Sequence, residues 1–561
     1  MQEKLKELLG EKKYLSKISE YTEENSFRVN FKLRNGYEIP LIIIFDEFFP
    51  AKLPHVEIDK TKFHIPRKPH ILKSGAICYL DKEGIIWSDA PKVALDLVFE
   101  KVENVLLESN EIVEYHKEFN YYFSTLSKLE KALSLYTPGN EIEEISVYTI
   151  RDHPFAFLKN DKDSMNVLEN LLEKKIKVQL HNKALFIPLD KTYDGPVPQL
   201  DEFWSAKDIE NLIKNSVSPE KLNRLESITA NKRNYYYLLE IPLLTGSRVM
   251  IGLWYKKVAS YSKRCNPIIE SGIGDKFEIY PIYIHRYDNR SLIERGSGIT
   301  SNCKILIIGC GSVGSDILFL LARSGLKNFT IVDNDELHLV NSYRHFLGMN
   351  KAIKSEKKVL LLKDEIEKRY PNAEIKIFDK DILLLIKNGK INFRDYDLVI
   401  IALGDPNVER RLNKLILETE TPAIFTWVEA YGLGGHALLV NNGDKGCYEC
   451  LFDEELNNSV SFAGRSDKPY TKNINGCSGT FTPYGSIDSM ETALIASRLA
   501  LRVINNQVTG NPLISWKGSS IDFKANGYQT SARYDESLDN LVNDSFDYIN
   551  HNCKYCSKGR I

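Results

Sequence analysis

Gly309, Gly311 and Gly314 lie between two apolar runs, K-I-L-I-I and F-T-I-V-D, in a G-x-G-x-x-G pattern that opens a helical stretch. Such a loop lets the backbone turn tightly and approach a phosphate at the helix N-terminus, where free N–H groups and the helix dipole favour anions. Asp333 ends the second run, where a carboxylate can bind ribose hydroxyls. That much fits many dehydrogenases. The continuation is polar and cationic, with Asp335, Asn341, Arg344 and Lys357 in order. A nicotinamide enzyme holds its pyrophosphate mainly through the glycine loop, whereas cleavage of a triphosphate needs charge to offset the departing pyrophosphate. A third apolar run, in D-Y-D-L-V-I-I-A-L-G-D-P-N, leads to Asp405, placed to hold Mg²⁺ at a strand's C-terminal edge. Singly, the cations read as surface charges and Asp405 as a turn residue. As an ordered set behind the glycine loop they point to ATP.

The nine cysteines fall into groups. Cys447 and Cys450 form C-Y-E-C, and Cys553 and Cys556 form C-K-Y-C. Two such knuckles predict a tetrahedral four-thiolate Zn²⁺ site, because each offers two thiolates from one tight turn. A redox pair, or four unrelated thiols, are the alternatives. Four protein ligands leave no open position, so such a zinc would be structural. Cys477 lies in N-G-C-S-G-T, a glycine- and hydroxyl-rich stretch ahead of a helical segment. A helix N-terminus stabilises a thiolate, so Cys477 reads as a nucleophile. Cys265, Cys303 and Cys310 read as small buried or incidental residues. So by default would Cys78, were its flanks not informative.

The elements that must position these groups imply several domains, since 561 residues exceed a single core. A net charge of −2 gives no electrostatic case for nucleic acid or an anionic membrane. The first residues are charged and helical rather than signal-peptide-like, and no apolar run is long enough to span a membrane. A cytoplasmic protein is expected. Residues 1–20 read as a short amphipathic helix carrying Leu5, Leu8 and Leu9. F-R-V-N-F-K-L-R-N-G-Y-E-I-P-L-I-I-I-F then reads as a hairpin turning at Asn35-Gly36. A proline-punctuated loop follows, then helix from Pro91 to about Ser109 and further helix to about Leu135. Residues 141–285 carry no usable motif. Strands around a Thr-Gly-Ser turn in N-Y-Y-Y-L-L-E-I-P-L-L-T-G-S-R-V-M-I-G-L-W-Y suggest an α+β linker domain.

From about residue 285 onward, the glycine loop, D-N-D, N-S-Y-R, the later lysine and L-G-D-P-N resemble the ThiF/MoeB-type adenylyltransferases, which include ubiquitin-activating enzymes. The resemblance implies that Asp333 binds ribose, that Asn341, Arg344 and Lys357 bind phosphates, and that Asp405 binds Mg²⁺. It implies that Arg290, in R-Y-D-N-R, reaches the ATP of the other subunit in a homodimer formed through the adenylation domain. Paired C-x-x-C knuckles are common in these enzymes, and thioester-forming members place a cysteine where Cys477 lies.

The N-terminal segment resembles the ubiquitin-conjugating fold: F-F-P-A-K-L-P-H-V-E-I, then K-P-H, then Cys78, then W-S-D-A-P. That fold carries a His-Pro-Asn followed by its nucleophilic cysteine at the same spacing, which makes Cys78 the nucleophile. Here the triplet is Lys68-Pro69-His70, so His70 stands where the family has its oxyanion-stabilising asparagine. A histidine N–H can also donate, with a pH dependence of its own.

The expected architecture is α/β: a ubiquitin-conjugating-like domain over 1–140, an α+β linker over 141–285, and a Rossmann-like ThiF-type adenylation domain over 286–561. This layout resembles the CD-NTase-associated activating–conjugating fusions of antiphage CBASS operons. That resemblance implies ATP-dependent adenylation of a partner protein's C-terminal carboxylate, relay as a thioester from Cys477 to Cys78, and ligation to an amine on a protein or small molecule. The carrier would be a cGAS-like nucleotidyltransferase. The alternatives are a ubiquitin-like modifier from another operon, or a sulfur carrier in cofactor biosynthesis. Neither a nucleic-acid nor a membrane partner is expected.

Overall fold

The computed structural model describes residues 2–64, 68–80, 84–109, 111–151, 153–159, 162–172, 179–229, 235–258, 267–268, 276–296, 301–353, 355–370, 373–441, 443–474, 480–542 and 548–556. The chain divides into two compact units. The first comprises Met1–Leu133, Pro138–Phe157 and Val178–His285; the second comprises Ser134–Thr137, Leu158–Lys177 and Arg286–Ile561. Among the described residues, no helix is long and apolar enough to cross a membrane.

In the first unit, helix α1 (Gln2–Gly10) buries Leu5 and Leu9. The helix expected to residue 20 stops at Gly10, and Leu15–Glu20 is strand β1, held extended by pairing with β2 (Ser26–Lys32). Tertiary pairing here overrides a helical pattern. With β3 (Glu38–Ile44) and β4 (His55–Ile58) these strands form an antiparallel sheet in sequence order. The turn between β2 and β3 is the expected one: Gly36 takes a φ of +88°, and the Asn35 side chain accepts from the Tyr37 N–H. Helix α2 (Pro91–Leu107) starts on a proline, which needs no N–H there, and buries Ala94, Leu95, Val98, Phe99, Val102 and Leu106. These pack with Phe27, Val29, Phe31, Leu41 and Ile43 of the sheet. Phe99 lies with its ring 5.0 Å from that of Phe31, and truncating it to alanine should cost about 3–5 kcal/mol.

Two short helices follow, α3 (Glu111–Lys117) and α4 (Phe119–Ser124). Helix does not continue to residue 135, because Glu130–Ser134 is the first strand, β5, of a barrel. The others are β6 (Glu143–Ile150), β7 (His153–Leu158), β8 (Gln179–Pro188), β9 (Tyr236–Pro242), β10 (Arg248–Lys257) and β11 (Phe277–Arg286). They close in the order β10-β11-β5-β7-β6-β8-β9. Closure leaves no unpaired sheet edge. The expected hairpin is β9–β10, turning where Gly246 has a φ of +78°. Leu185, Ile187, Tyr237, Leu239, Ile251 and Leu253 fill one core cluster together with Phe119, Tyr122 and Phe123 of α4.

The second unit is built on a seven-stranded sheet of β12 (Lys304–Ile308), β13 (Asn328–Val332), β14 (Glu374–Phe378), β15 (Leu398–Ile401), β16 (Ala423–Val428), β17 (Gly434–Val440) and β20 (Leu513–Lys517). A two-stranded ribbon, β18 (Lys472–Asn473) and β19 (Thr480–Phe481), stands apart from it. The order is β14-β13-β12-β15-β16-β17-β20; β17 runs antiparallel to both its neighbours, so β20 points the same way as β12 to β16. Ile305, Leu306, Ile307 and Ile308 are all fully buried, which is why β12 reads as an unbroken apolar run rather than an alternating one. Strand order reverses at β12, which pairs with β13 on one side and β15 on the other. A crevice at the carboxyl ends of such strands is where ligands bind in open α/β sheets. The glycine loop leaves β12 and Asp405 follows β15, so both border that crevice.

Candidate functional site

Two of the three glycines are sterically required. Gly309 has a φ of +90°, and a Cβ there would lie 2.4 Å from the Ala402 carbonyl oxygen. At Gly314 a Cβ would lie 1.9 Å from the carbonyl oxygen of Gly309. At Gly311, which precedes helix Ser312–Arg323, a Cβ would meet nothing within 4 Å. That position is open where an anion would approach the helix N-terminus.

Asp333 sits against the loop: its Oδ2 accepts from the Cys310 N–H at 2.7 Å and its Oδ1 from the Asp335 N–H at 2.8 Å. Asp335 pairs with Lys358 at 2.9 Å. Lys357 reaches the Asn334 carbonyl at 2.9 Å and Glu336 at 3.4 Å, which brings both lysines back to the D-N-D segment. Asn341 accepts from the His338 N–H at 3.4 Å. Arg344 donates to the Thr482 carbonyl at 3.3 Å and lies over the Tyr484 ring at 4.7 Å. Asp405 caps helix Pro406–Ile416, its Oδ1 accepting from the N–H groups of Asn407 and Val408. The carboxylate is otherwise exposed at the crevice edge.

The four knuckle cysteines converge. Sγ separations are 4.0 Å for Cys447–Cys450, 3.8 Å for Cys447–Cys553 and 3.4 Å for Cys450–Cys556, and all four lie within 4.8 Å of one another. A tetrahedron of Zn–S bonds of about 2.3 Å has edges of about 3.8 Å. The set fits zinc. The first knuckle is also tied to the helix that Asp405 caps: Tyr448 donates to Glu409, the Tyr448 N–H donates to Asn413, and Arg410 forks onto Glu449 with two 2.8 Å bonds.

In the first unit Cys78 is exposed, and its N–H donates to the His70 carbonyl at 2.8 Å. Burial of part of the side chain pushes its thiol above the ordinary value, and the Glu118 carboxylate adds to this. Trp87 of W-S-D-A-P donates to the Pro50 carbonyl at 2.8 Å, joining the two motif segments. Lys68 donates to the Leu106 and Glu108 carbonyls at the end of α2.

Residues 290–526 match the ThiF family, and residues 7–131 match prokaryotic E2 family B. The chain is a fusion of an E2-like and a ThiF-like domain. SUMO-activating enzyme subunit 2 of Dictyostelium discoideum is 29% identical over 154 residues, covering 26% of this chain and 22% of that protein. The ATP-dependent ubiquitin transferase-like protein Cap2 of Vibrio cholerae is 28% identical over 256 residues, 41% of this chain and 40% of Cap2. The crystal structure of E. coli MccB with ATP aligns with a TM-score of 0.33 and 18% identity, covering 46% of this chain and 68% of that one. The chain thus spans less than half the length of each of these two curated relatives.

In the ThiF-like domain the glycines, Asp333, Asp335, Asn341, Arg344, Lys357 and Asp405 come from segments that meet around the switch point. Arg290 does not join them within its own chain; it is exposed and pairs with Glu294, one helical turn on, at 2.9 Å. Cys477 lies outside the described residues. Four participants were missed by sequence reasoning. Lys358 pairs with Asp335. Tyr484 contacts Arg344 and approaches Ser312. Glu409 accepts from the Gly404 N–H at 3.0 Å, bracing the turn before Asp405, and burial pushes its carboxyl up to about 7. His345 props the glycine loop through the Cys310 carbonyl at 2.9 Å, and burial pushes its imidazole down to about 4. Its position directly after Arg344 was the only hint available.

Proposed function

We propose that this chain uses ATP to activate the C-terminal carboxylate of a partner protein and passes the acyl group through thioesters to an amine, with a ubiquitin-like modifier as the carrier. The observation carrying this reading is the pairing, in one chain, of a nucleotide loop at a strand switch point with an exposed cysteine in an E2-like segment. A carboxylate resists attack by an amine because its leaving group would be oxide. Adenylation replaces that leaving group with AMP: the carboxylate oxygen attacks the α-phosphorus and pyrophosphate departs with the bonding electrons. Asp333 would hold the ribose. The helix N-terminus at Gly311, with Asn341, Arg344 and Lys357, would hold the phosphates. Asp405 would hold Mg²⁺, which when bound neutralises charge on the departing pyrophosphate. Cys477 would then attack the acyl carbon and release AMP, Cys78 would displace the Cys477 thiolate, and an amine would displace Cys78. A second copy of the chain would supply Arg290, whose exposed position suits reach outward.

Similarity to SUMO-activating enzyme subunit 2 favours a ubiquitin-like carrier. The longer alignment with Cap2 supports a second reading, in which the carrier is a cGAS-like nucleotidyltransferase of an antiphage operon. The experiment is ATP–pyrophosphate exchange with each candidate carrier, intact or lacking its last residues. Exchange that depends on the C-terminus of one carrier selects that reading. Exchange that occurs with no carrier at all rejects both.

A further inference from the structure

His70 stands where the E2 resemblance places an oxyanion donor, but its ring is otherwise engaged. Nδ1 lies 3.2 Å from Glu118 Oε1, and Nε2 lies 3.3 Å from Glu114 Oε2. A neutral imidazole carries one N–H and could donate to only one of these carboxylates; donation to both requires the imidazolium. The backbone of His70 is equally committed. Its φ is +63°, a left-handed conformation that non-glycine residues keep only when their surroundings enforce it. Its N–H donates to the Tyr122 hydroxyl at 2.8 Å, and its carbonyl accepts from the Cys78 N–H at 2.8 Å. His70 therefore links the turn that presents Cys78 to helices α3 and α4.

The charges around it make the arrangement legible. Glu114 also pairs with Lys117, and Lys68 pairs with Glu111 at 3.1 Å, so Glu118 has His70 as its ion-pair partner among the described residues. An uncompensated carboxylate beside a thiol disfavours the thiolate. Hydrogen bonding to Glu118, with a further contribution from Glu114, holds the His70 imidazole protonated to higher pH than usual.

We propose that His70 is a positioning residue, an imidazolium clamped between Glu114 and Glu118 that fixes the Cys78 turn and offsets their charge, and that it does not donate to the oxyanion. The role assigned to Cys78 rests on the function proposed above; the charge relationship does not.

The test is alkylation of Cys78 by iodoacetamide in the full chain, read by peptide mass spectrometry as a function of pH. His70→Asn should slow Cys78 alkylation roughly three- to tenfold, as the thiolate fraction falls. It should also remove a lower-pH inflection present in the native profile. Adding Glu118→Gln to His70→Asn should return the rate to within about twofold of native, since the remaining Glu114 and Lys117 balance each other. Glu118→Gln alone, at a partly exposed side chain, should speed alkylation, which keeps the proposal testable if His70→Asn fails to fold. Unchanged alkylation in His70→Asn, a double variant that stays slow, or an unaccelerated Glu118→Gln would each overturn the clamp. In a second arm, release of a Cys78 thioester to free lysine should be impaired in His70→Asn; native rates there would restore the oxyanion role, since asparagine is the residue it would need. If the native chain forms no thioester yet the alkylation pattern holds, the functional reading has failed and the clamp has not.

Discussion

Tyr484 brings its hydroxyl within 3.0 Å of Ser312 Oγ, at the first turn of the helix that follows the glycine loop, while its ring lies beneath the Arg344 guanidinium. One side chain thus links the helix end at the glycine loop to the cation that the proposed function assigns to the phosphates. Tyr484→Phe keeps the ring and removes a hydrogen bond worth about 0.5–1.5 kcal/mol, so the KM for ATP in pyrophosphate exchange should rise roughly three- to tenfold. Tyr484→Ala also loses the cation–π contact and should raise it further. An ATP titration with unchanged KM in both variants would remove Tyr484 from the site.

Asp405 caps a helix, and the proposed function also gives it Mg²⁺ to hold; substitutions can separate the two. Asp405→Ala should abolish exchange and also cost about 1 kcal/mol of stability as a lost helix cap. Asp405→Asn retains a capping oxygen, so its melting temperature should stay near native while exchange is still lost. Active Asp405→Asn would argue against metal binding there.

The zinc site should hold about one zinc per chain by metal analysis. Cys553→Ser should release the metal and lower the melting temperature. Because Tyr448 and Glu449 of the first knuckle hold Glu409 and Arg410, exchange should weaken as well. Alkylation of Cys78 should be unaffected. A metal-free chain of native stability would end the four-thiolate reading.

His345 gives the ThiF-like domain a defined acid sensitivity. Its Nδ1 accepts from the Leu347 N–H at 3.3 Å, so Nε2–H is the donor to Cys310 and the ring is neutral. Its folded value, about 4, lies below its ordinary 6.5. The stability it contributes is therefore present above pH 6.5 and is lost as pH falls through about 4. The full span is on the order of 3 kcal/mol. Denaturant unfolding of His345→Gln should be less pH-dependent across that window; an equally steep profile would place the titration elsewhere.

The order of the two thiols is open to a direct test. Cys78→Ala should still accumulate a reductant-sensitive adduct of the carrier, on Cys477. Cys477→Ala should accumulate none, yet keep carrier-dependent exchange. Cys78→Lys should trap the carrier as a reductant-resistant amide. Normal loading of Cys78 in Cys477→Ala would mean that the adenylate passes directly to Cys78.

What the sequence determined by itself was local. Gly309 and Gly314 are legible because a turn and a close backbone approach constrain the residue at the position itself. The paired cysteines of each knuckle are legible because one tight turn sets their spacing, and β12 because burial on both faces removes any polar alternation. The tertiary structure decided the rest. Residues 15–20 became a strand because β2 offered backbone partners, and β5 to β11 became a barrel because closure joins strands far apart in sequence. Ser312 and Tyr484 are 172 residues apart, and His70 and Glu114 are 44 apart. No periodicity connects such pairs. Their meeting is set by strand order and helix packing, and it is that meeting which turned His70 from a presumed hydrogen-bond donor to substrate into a charge held between two carboxylates.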